Sequence, residues 1–186
     1  MALRLIVLVI VVATWQSVAF GQVAKTEKWS GSPAETELVE LIDALYQKYA
    51  AYHTQAAKIT DQKLQEEFYR QNDPAKDAVP KLLSFEAQHR GTDVGLMALR
   101  RIVLLAAGGG VADGPCDLGR REAFTRLNNY ADRPILPEIL RYVDGGNHDP
   151  ATEGLLRSLA QNQKAIPVVR QYSAIALAGW MLGLRD

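Results

Sequence analysis

From Pro33 onward, apolar residues recur every three to four positions, the spacing that gathers them on one side of a helix. No segment sustains a period of two, so strands are not expected. The first helix announces itself with Ser32-Pro33-Ala34-Glu35. Serine stands at the cap, proline in the first turn and glutamate three residues on, the arrangement of a capping box. Leu38, Leu41, Ile42, Leu45 and Tyr49 form the expected buried stripe. Glu35, Glu37, Glu40 and Asp43 crowd the first turns, where the helix dipole favours negative charge. Two such carboxylates could in principle share acid–base work, but no histidine joins the pattern, and a solvated face accounts for them.

Tyr46, Tyr49 and Tyr52 lead into a more polar stretch, His53 to Asn72, anchored only by Ile59, Leu64 and Phe68. This stretch is expected to continue the helix, long and exposed on one side. Tyrosines on a helix can stack on bases or sugars, but without a surrounding basic patch amphipathic packing explains them. Asp73-Pro74 is the next start signal, with Val79, Leu82, Leu83 and Phe85 as its apolar set and His89-Arg90-Gly91 as its stop. Pro80 implies that this helix either begins near Asp77 or bends. Thr92 or Asp93 then caps a strongly apolar helix, Val94 to Ala107, with only Arg100 and Arg101 left for solvent.

Gly108-Gly109-Gly110 ends that helix. A glycine run can cradle phosphate, but that reading needs a preceding strand and a lysine in the loop, and neither is present. Asp117 is expected to cap a helix carrying Ala123, Phe124, Leu127 and Tyr130. Pro134 opens a short helix with Leu136, Ile139, Leu140 and Val143, stopped by Gly145-Gly146. Asp149-Pro150 caps another, with Leu155, Leu156 and Leu159. The closing stretch, Ala165 to Leu184, repeats Val168, Val169, Tyr172, Ile175, Ala176, Gly179 and Leu182 on one face. It is apolar nearly all round, as for a helix packed on more than one side, and Ala174, Ala176, Ala178 and Gly179 would let a neighbour approach closely. The expected fold is all-α, antiparallel helices in a repeat-like (HEAT/TPR-like) stack over residues 33–186.

The segment Val168-Val169-Arg170 through Ala174 and Ala176-Leu177-Ala178 resembles the second helix of a HEAT-type repeat. No fixed period holds upstream, which makes the stack irregular. A wider resemblance runs from about Asp73 to Leu184. The run from Val79 to Ala106, the helix around Pro134 to Val143, the acid-proline-capped helix and the alanine-rich close follow one another in that order. This order resembles the helical N-terminal region of exported bacterial redoxin proteins of the TlpA/ResA type. The resemblance implies a helical accessory module, with thiol–disulfide chemistry residing in a separate thioredoxin-like domain. No Cys-x-x-Cys pair occurs here, so that activity is not carried over.

The N-terminus changes the expected address. Arg4 follows the start, Leu5 to Ala13 is an unbroken apolar run, and Ser17-Val18-Ala19 or Ala19-Phe20-Gly21 supplies small residues for cleavage. The run is short for a membrane span, which needs roughly 20 apolar residues. Residues 1–21 are thus expected to be a signal peptide, 22–32 a polar flexible segment, and the protein exported, periplasmic or extracellular. Membrane attachment is expected only if the leader stays uncleaved.

Charge and chemistry narrow the function by exclusion. Twenty-one basic residues balance twenty-one acidic ones, so no net field favours nucleic acid. His53, His89 and His148 share no ligand spacing, and no metal or cofactor is expected. Cys116, the only cysteine, could be a nucleophile or pair with another chain, but adjacent Asp117 raises a thiol pKa unless a helix N-terminus outweighs it. No catalytic, cofactor-binding or metal-binding residue is assigned. The expected function is a non-enzymatic interaction module with a protein partner, for which a thioredoxin-like protein is one candidate. The alternative is a redox component acting through Cys116, and a third possibility is an oligomeric structural protein. Tyr46, Tyr49, Tyr52 and Trp180 are the aromatic candidates for contact along a helical groove.

Overall fold

A computed structural model describes residues 31–107, 113–143 and 150–182. The leader, residues 22–30 of the polar segment, both glycine stops, Asp149 and His148 lie outside these residues. The described chain is all-α, with no strand. Its helices are α1 (Pro33–Ala56), α2 (Gln62–Asn72), α3 (Ala75–Gln88), α4 (Asp93–Ala107), α5 (Pro115–Leu127), α6 (Leu136–Leu140), α7 (Pro150–Gln161) and α8 (Pro167–Met181). A 3-10 turn, Asn128–Tyr130, follows α5. Packing runs mainly between chain neighbours and next-neighbours: α3 on α4, α4 on α5, α3 on α5, α5 on α7, and α8 on α7 and α6. Such connectivity builds a helical stack. Leu38, Ile42 and Leu45 of α1, Leu82 and Phe85 of α3, and Leu96, Leu99 and Ile102 of α4 fill one continuous core that runs on through α5 to Val169 of α8.

The capping box forms as the sequence requires. Ser32 Oγ accepts from the Glu35 amide at 3.3 Å, and the Glu35 carboxylate accepts from the Ser32 amide at 3.0 Å. Glu37, Glu40 and Asp43 stand exposed beyond it, a solvated face.

Several expectations are corrected by the packing. The stretch His53 to Asn72 is two helices, because residues 57–61 turn the chain. Asp61 Oδ1 accepts from the Leu64 amide at 3.0 Å and starts α2, while Gln65 Nε2 donates to the carbonyls of Ala56 and Ile59 at the end of α1. One side chain of the second helix thus binds back to the last carbonyl of the first and to the turn, and this favours the break. α2 itself buries no residue completely, and Leu64 is exposed.

α3 begins at Ala75, before Asp77, because Asp73 Oδ1 accepts from the Ala75 amide at 2.9 Å. Pro80 is accommodated within it on the exposed side, where the Lys76 carbonyl that lacks its helical partner faces solvated surface. Thr92 is the acting cap of α4, its hydroxyl accepting from the Gly95 amide at 3.2 Å. Gly114 and Pro115 open α5, so Asp117 sits inside the first turn, not at the cap. From there its carboxylate accepts from the Asp113 amide and pairs with Arg120 at 2.7 Å and Arg121 at 2.8 Å. α5 ends at Leu127, leaving Tyr130 to the 3-10 turn. α6 starts at Leu136, two residues after Pro134, with Pro137 in its first turn.

Two larger revisions concern faces. Arg101 is buried, because Ala98, Arg101, Ile102 and Leu105 fall on one stripe of α4 and α1 covers it. α8 is packed on one side only: Val169, Ser173 and Ala176 are buried, while Val168, Ile175 and Leu182 are exposed. Its contacts are chiefly with α6 and α7, and no described helix covers its other flank.

Candidate functional site

A cleft among the described residues follows from the turn at 57–61, which folds α2 back beside α1. Lys48, Ala51, Tyr52 and Gln55 lie at i, i+3, i+4 and i+7 and share one face of α1. Phe68, Gln71 and Asn72 of α2 oppose them, and Asp73, Pro74, Lys76 and Asp77 close one end. The cleft is open to solvent and measures about 360 Å3.

Aromatic side chains tie the two walls together. Tyr52 stacks on Phe68 with centroids 5.4 Å apart and planes 24° from parallel, and meets Tyr69 edge-on at 5.3 Å. Its hydroxyl donates to the Tyr69 carbonyl at 2.9 Å. Tyr49 lies edge-on to Tyr52 at 6.0 Å, and His53 stacks on Tyr49. His53 stays exposed, and its partial burial against these rings lowers its pKa.

Behind the aromatic wall, the Tyr49 hydroxyl donates to Asp73 Oδ1 at 3.1 Å and lies 3.9 Å from Cys116 Sγ. Asp73 thereby holds α1 and the start of α3 together. Burial pushes the Cys116 thiol up to about 11, and the Asp73 charge adds to this against the smaller opposing effect of the Tyr49 hydroxyl. At neutral pH this thiol is protonated and buried, a small apolar group in the first turn of α5. Tyr49 and Tyr52 are also raised, chiefly by burial.

Polar groups on the cleft rim are largely paired with one another. Lys48 Nζ meets Asp77 Oδ2 at 3.0 Å, and this hydrogen bond is the main reason the Asp77 carboxyl stays below its ordinary value. Lys76 Nζ donates to the Gln71 carbonyl at 2.7 Å. Gln71 Nε2 donates to Glu67 at 2.6 Å, and Asn72 Nδ2 to the Phe68 carbonyl at 3.1 Å.

A second polar cluster lies at the α3–α4 turn. Glu86 is fully buried, and its carboxylate accepts from Arg126 at 2.7 Å and from the Tyr130 hydroxyl at 2.9 Å, with Arg90 at 3.6 Å. The Tyr130 hydroxyl accepts in turn from the Gly91 amide at 3.3 Å, and Arg133 donates to the Gly91 carbonyl. Each side chain has at least one partner, although the buried Arg133 Nε itself makes no hydrogen bond, and the cluster pins the turn to the end of α5. It is a structural joint.

The structure brings together Tyr49 and Tyr52 from the sequence candidates and adds His53. Tyr46 turns away and packs under Arg101 instead. Trp180 belongs to α8 and His89 packs on Phe85 at 4.4 Å, neither of them lining the cleft. Phe68, Gln71, Asn72 and Asp73 were not legible as site residues. Phe68 stood out only as an apolar anchor of a polar stretch and Asp73 only as a helix start, while Gln71 and Asn72 carried no sign. No three His, Cys, Asp or Glu side chains are grouped to hold a metal ion among the described residues. Comparison with protein-family models, curated proteins and solved structures gave no match to this chain.

Proposed function

We propose that this chain is an exported, non-enzymatic helical module that receives an extended protein partner in the cleft between α1, α2 and α3. The observation that carries the reading is the cleft itself, an open groove with an aromatic wall at Tyr52 and Phe68 and amide side chains at Gln55, Gln71 and Asn72. An aromatic centre with a polar rim is the ordinary anatomy of a protein contact. Export rests on the apolar leader and its small-residue cut, with the mature chain starting near Phe20 or Gln22. The redoxin resemblance makes a thioredoxin-like protein the first partner to try. Direct thiol chemistry at Cys116 is the less supported alternative, since burial and Asp73 hold the thiol protonated.

The test is affinity capture from an exporting host with the full chain as bait. Intact mass of the exported bait reads leader removal in the same preparation, and a mass that retains residues 1–21 would indicate an anchor. Capture is expected without added metal or nucleotide, with weak salt dependence because the charges balance. Cys116→Ser should capture equally, whereas Ala51→Trp, which fills the cleft, should not. Capture that fails in Cys116→Ser, or occurs only through a reducible crosslink, would install the redox reading.

A further inference from the structure

We infer that the cleft binds a short, uncharged, extended peptide segment that places one aromatic or aliphatic side chain against Ala51 and the Tyr52–Phe68 pair. The inference rests on the interaction reading above and specifies its partner.

Size sets the first limit. Lys48 to Gln55 covers seven steps along α1, about 10 Å at the helical rise. Extended peptide advances about 3.3 Å per residue, so about three residues lie along this wall. The volume of about 360 Å3 accommodates a segment of that length.

Charge sets the second. The lining carries Lys48 and Lys76 against Asp73 and Asp77, a balanced set. Lys48 and Asp77 close on each other, Lys76 is held by the Gln71 carbonyl, and Asp73 by Tyr49 and the Ala75 amide. A charged ligand side chain would have to break one of these contacts or stand against a neutral wall. An uncharged one does neither.

The amides supply the recognition. Gln71 and Asn72 each use an N–H inside α2, which leaves a side-chain carbonyl oxygen as an acceptor on each of two residues that line the cleft. Gln55, exposed on the opposite wall, offers both a donor and an acceptor. A peptide backbone presents the matching neutral N–H and C=O along its length. Sugar hydroxyls could also meet these amides, so a saccharide is the competing occupant that the experiment includes.

The experiment titrates the full chain with blocked pentapeptides, acetyl-Ala-Ala-X-Ala-Ala-amide with X as Phe, Leu, Lys or Glu, while backbone amide NMR shifts are followed. Saturable shifts confined to residues 48–55 and 68–77 are expected for Phe and Leu, with Lys and Glu at least about tenfold weaker. The double variant Gln55→Ala, Gln71→Ala should weaken the Phe peptide about tenfold, the loss of roughly two net hydrogen bonds, with an unchanged urea midpoint. Ala51→Trp should abolish the shifts. Equal binding of the charged peptides, no saturable shift with any peptide, or the same shifts produced by chitotetraose instead would overturn the inference. The two readings fail separately. Partner capture that is lost in Ala51→Trp while no peptide binds keeps the cleft as an interaction site and removes its peptide chemistry. Capture indifferent to Ala51→Trp removes the cleft reading itself.

Discussion

The Arg101 guanidinium lies over the face of Tyr46, its central carbon 5.2 Å from the ring centroid, and donates to the Tyr46 hydroxyl. The cation is nearly inaccessible to water, and burial pushes its pKa down while Tyr46 opposes the shift. Desolvation offsets much of what such a buried pair gains, so the pair and its parts should respond differently to substitution. Tyr46→Phe leaves a buried N–H without its acceptor and is expected to cost about 1–3 kcal/mol. Arg101→Met replaces the cation with an apolar chain of similar reach and should stay within about 1 kcal/mol of the parent. Urea midpoints of the two variants check this; a larger loss from Arg101→Met would mean that the charge itself stabilises the fold.

Three helical glycines should answer differently to alanine. A Cβ at Gly95 would stand 2.4 Å from the His89 carbonyl oxygen and 2.7 Å from the Tyr130 hydroxyl. Backbone cannot yield there, and Gly95→Ala is expected to cost about 1–3 kcal/mol or more. At Gly119 the Cβ would meet Val79 Cγ1 at 2.4 Å, on a stiff β-branched side chain buried in the core, so Gly119→Ala should also cost about 1–3 kcal/mol. Gly154 has open space, and Gly154→Ala should stabilise α7 by about 0.5–1 kcal/mol. Thermal unfolding of the three variants gives the order directly.

The faces of α8 make a paired prediction. Ala176 is buried and Ile175 beside it is 69% exposed. Ala176→Glu should cost about 3 kcal/mol or more by placing an unpaired carboxylate in the core, whereas Ile175→Glu should change stability by less than about 0.5 kcal/mol. Ser173→Ala should be neutral or stabilising, since its buried hydroxyl finds no partner among the described residues. Denaturant midpoints decide, and equal losses at 175 and 176 would show that a partner covers the outer flank.

Cys116 gives the protein an alkaline weakness. Its thiol is held up to about 11 in the fold against an ordinary value of 9.0, so the native state keeps its proton where the unfolded chain has lost it. The associated stability is fully present below about pH 9 and falls away as pH rises through about 11, by an order of 2 kcal/mol. Unfolding free energy measured across that interval should fall less steeply in Cys116→Ala than in the parent. At neutral pH the native thiol should react with maleimide far more slowly than the urea-unfolded chain.

The sequence by itself determined the helices that carry strong local chemistry. Ser32 and Glu35 cap α1 through atoms three residues apart, and the apolar stripes of α3 and α4 bury as their spacing requires. Such features are local, so neighbouring residues suffice to read them. The end of α1 was harder: the chain breaks at residues 57–61 because Gln65 reaches back to the Ala56 and Ile59 carbonyls, and periodicity is blind to that contact. The cleft depends on that break, which is why Phe68, Gln71 and Asn72 carried no site signature while Tyr49 and Tyr52 stood out only as aromatics. Tertiary structure alone decided which apolar faces have neighbours. Arg101 turned inward because α1 covers its stripe and Tyr46 supplies a ring and an acceptor. Ile175 and Val168 turned outward because α6 and α7 meet only one side of α8. A hydrophobic pattern states which residues can be buried; the placement of the other helices states which of them are.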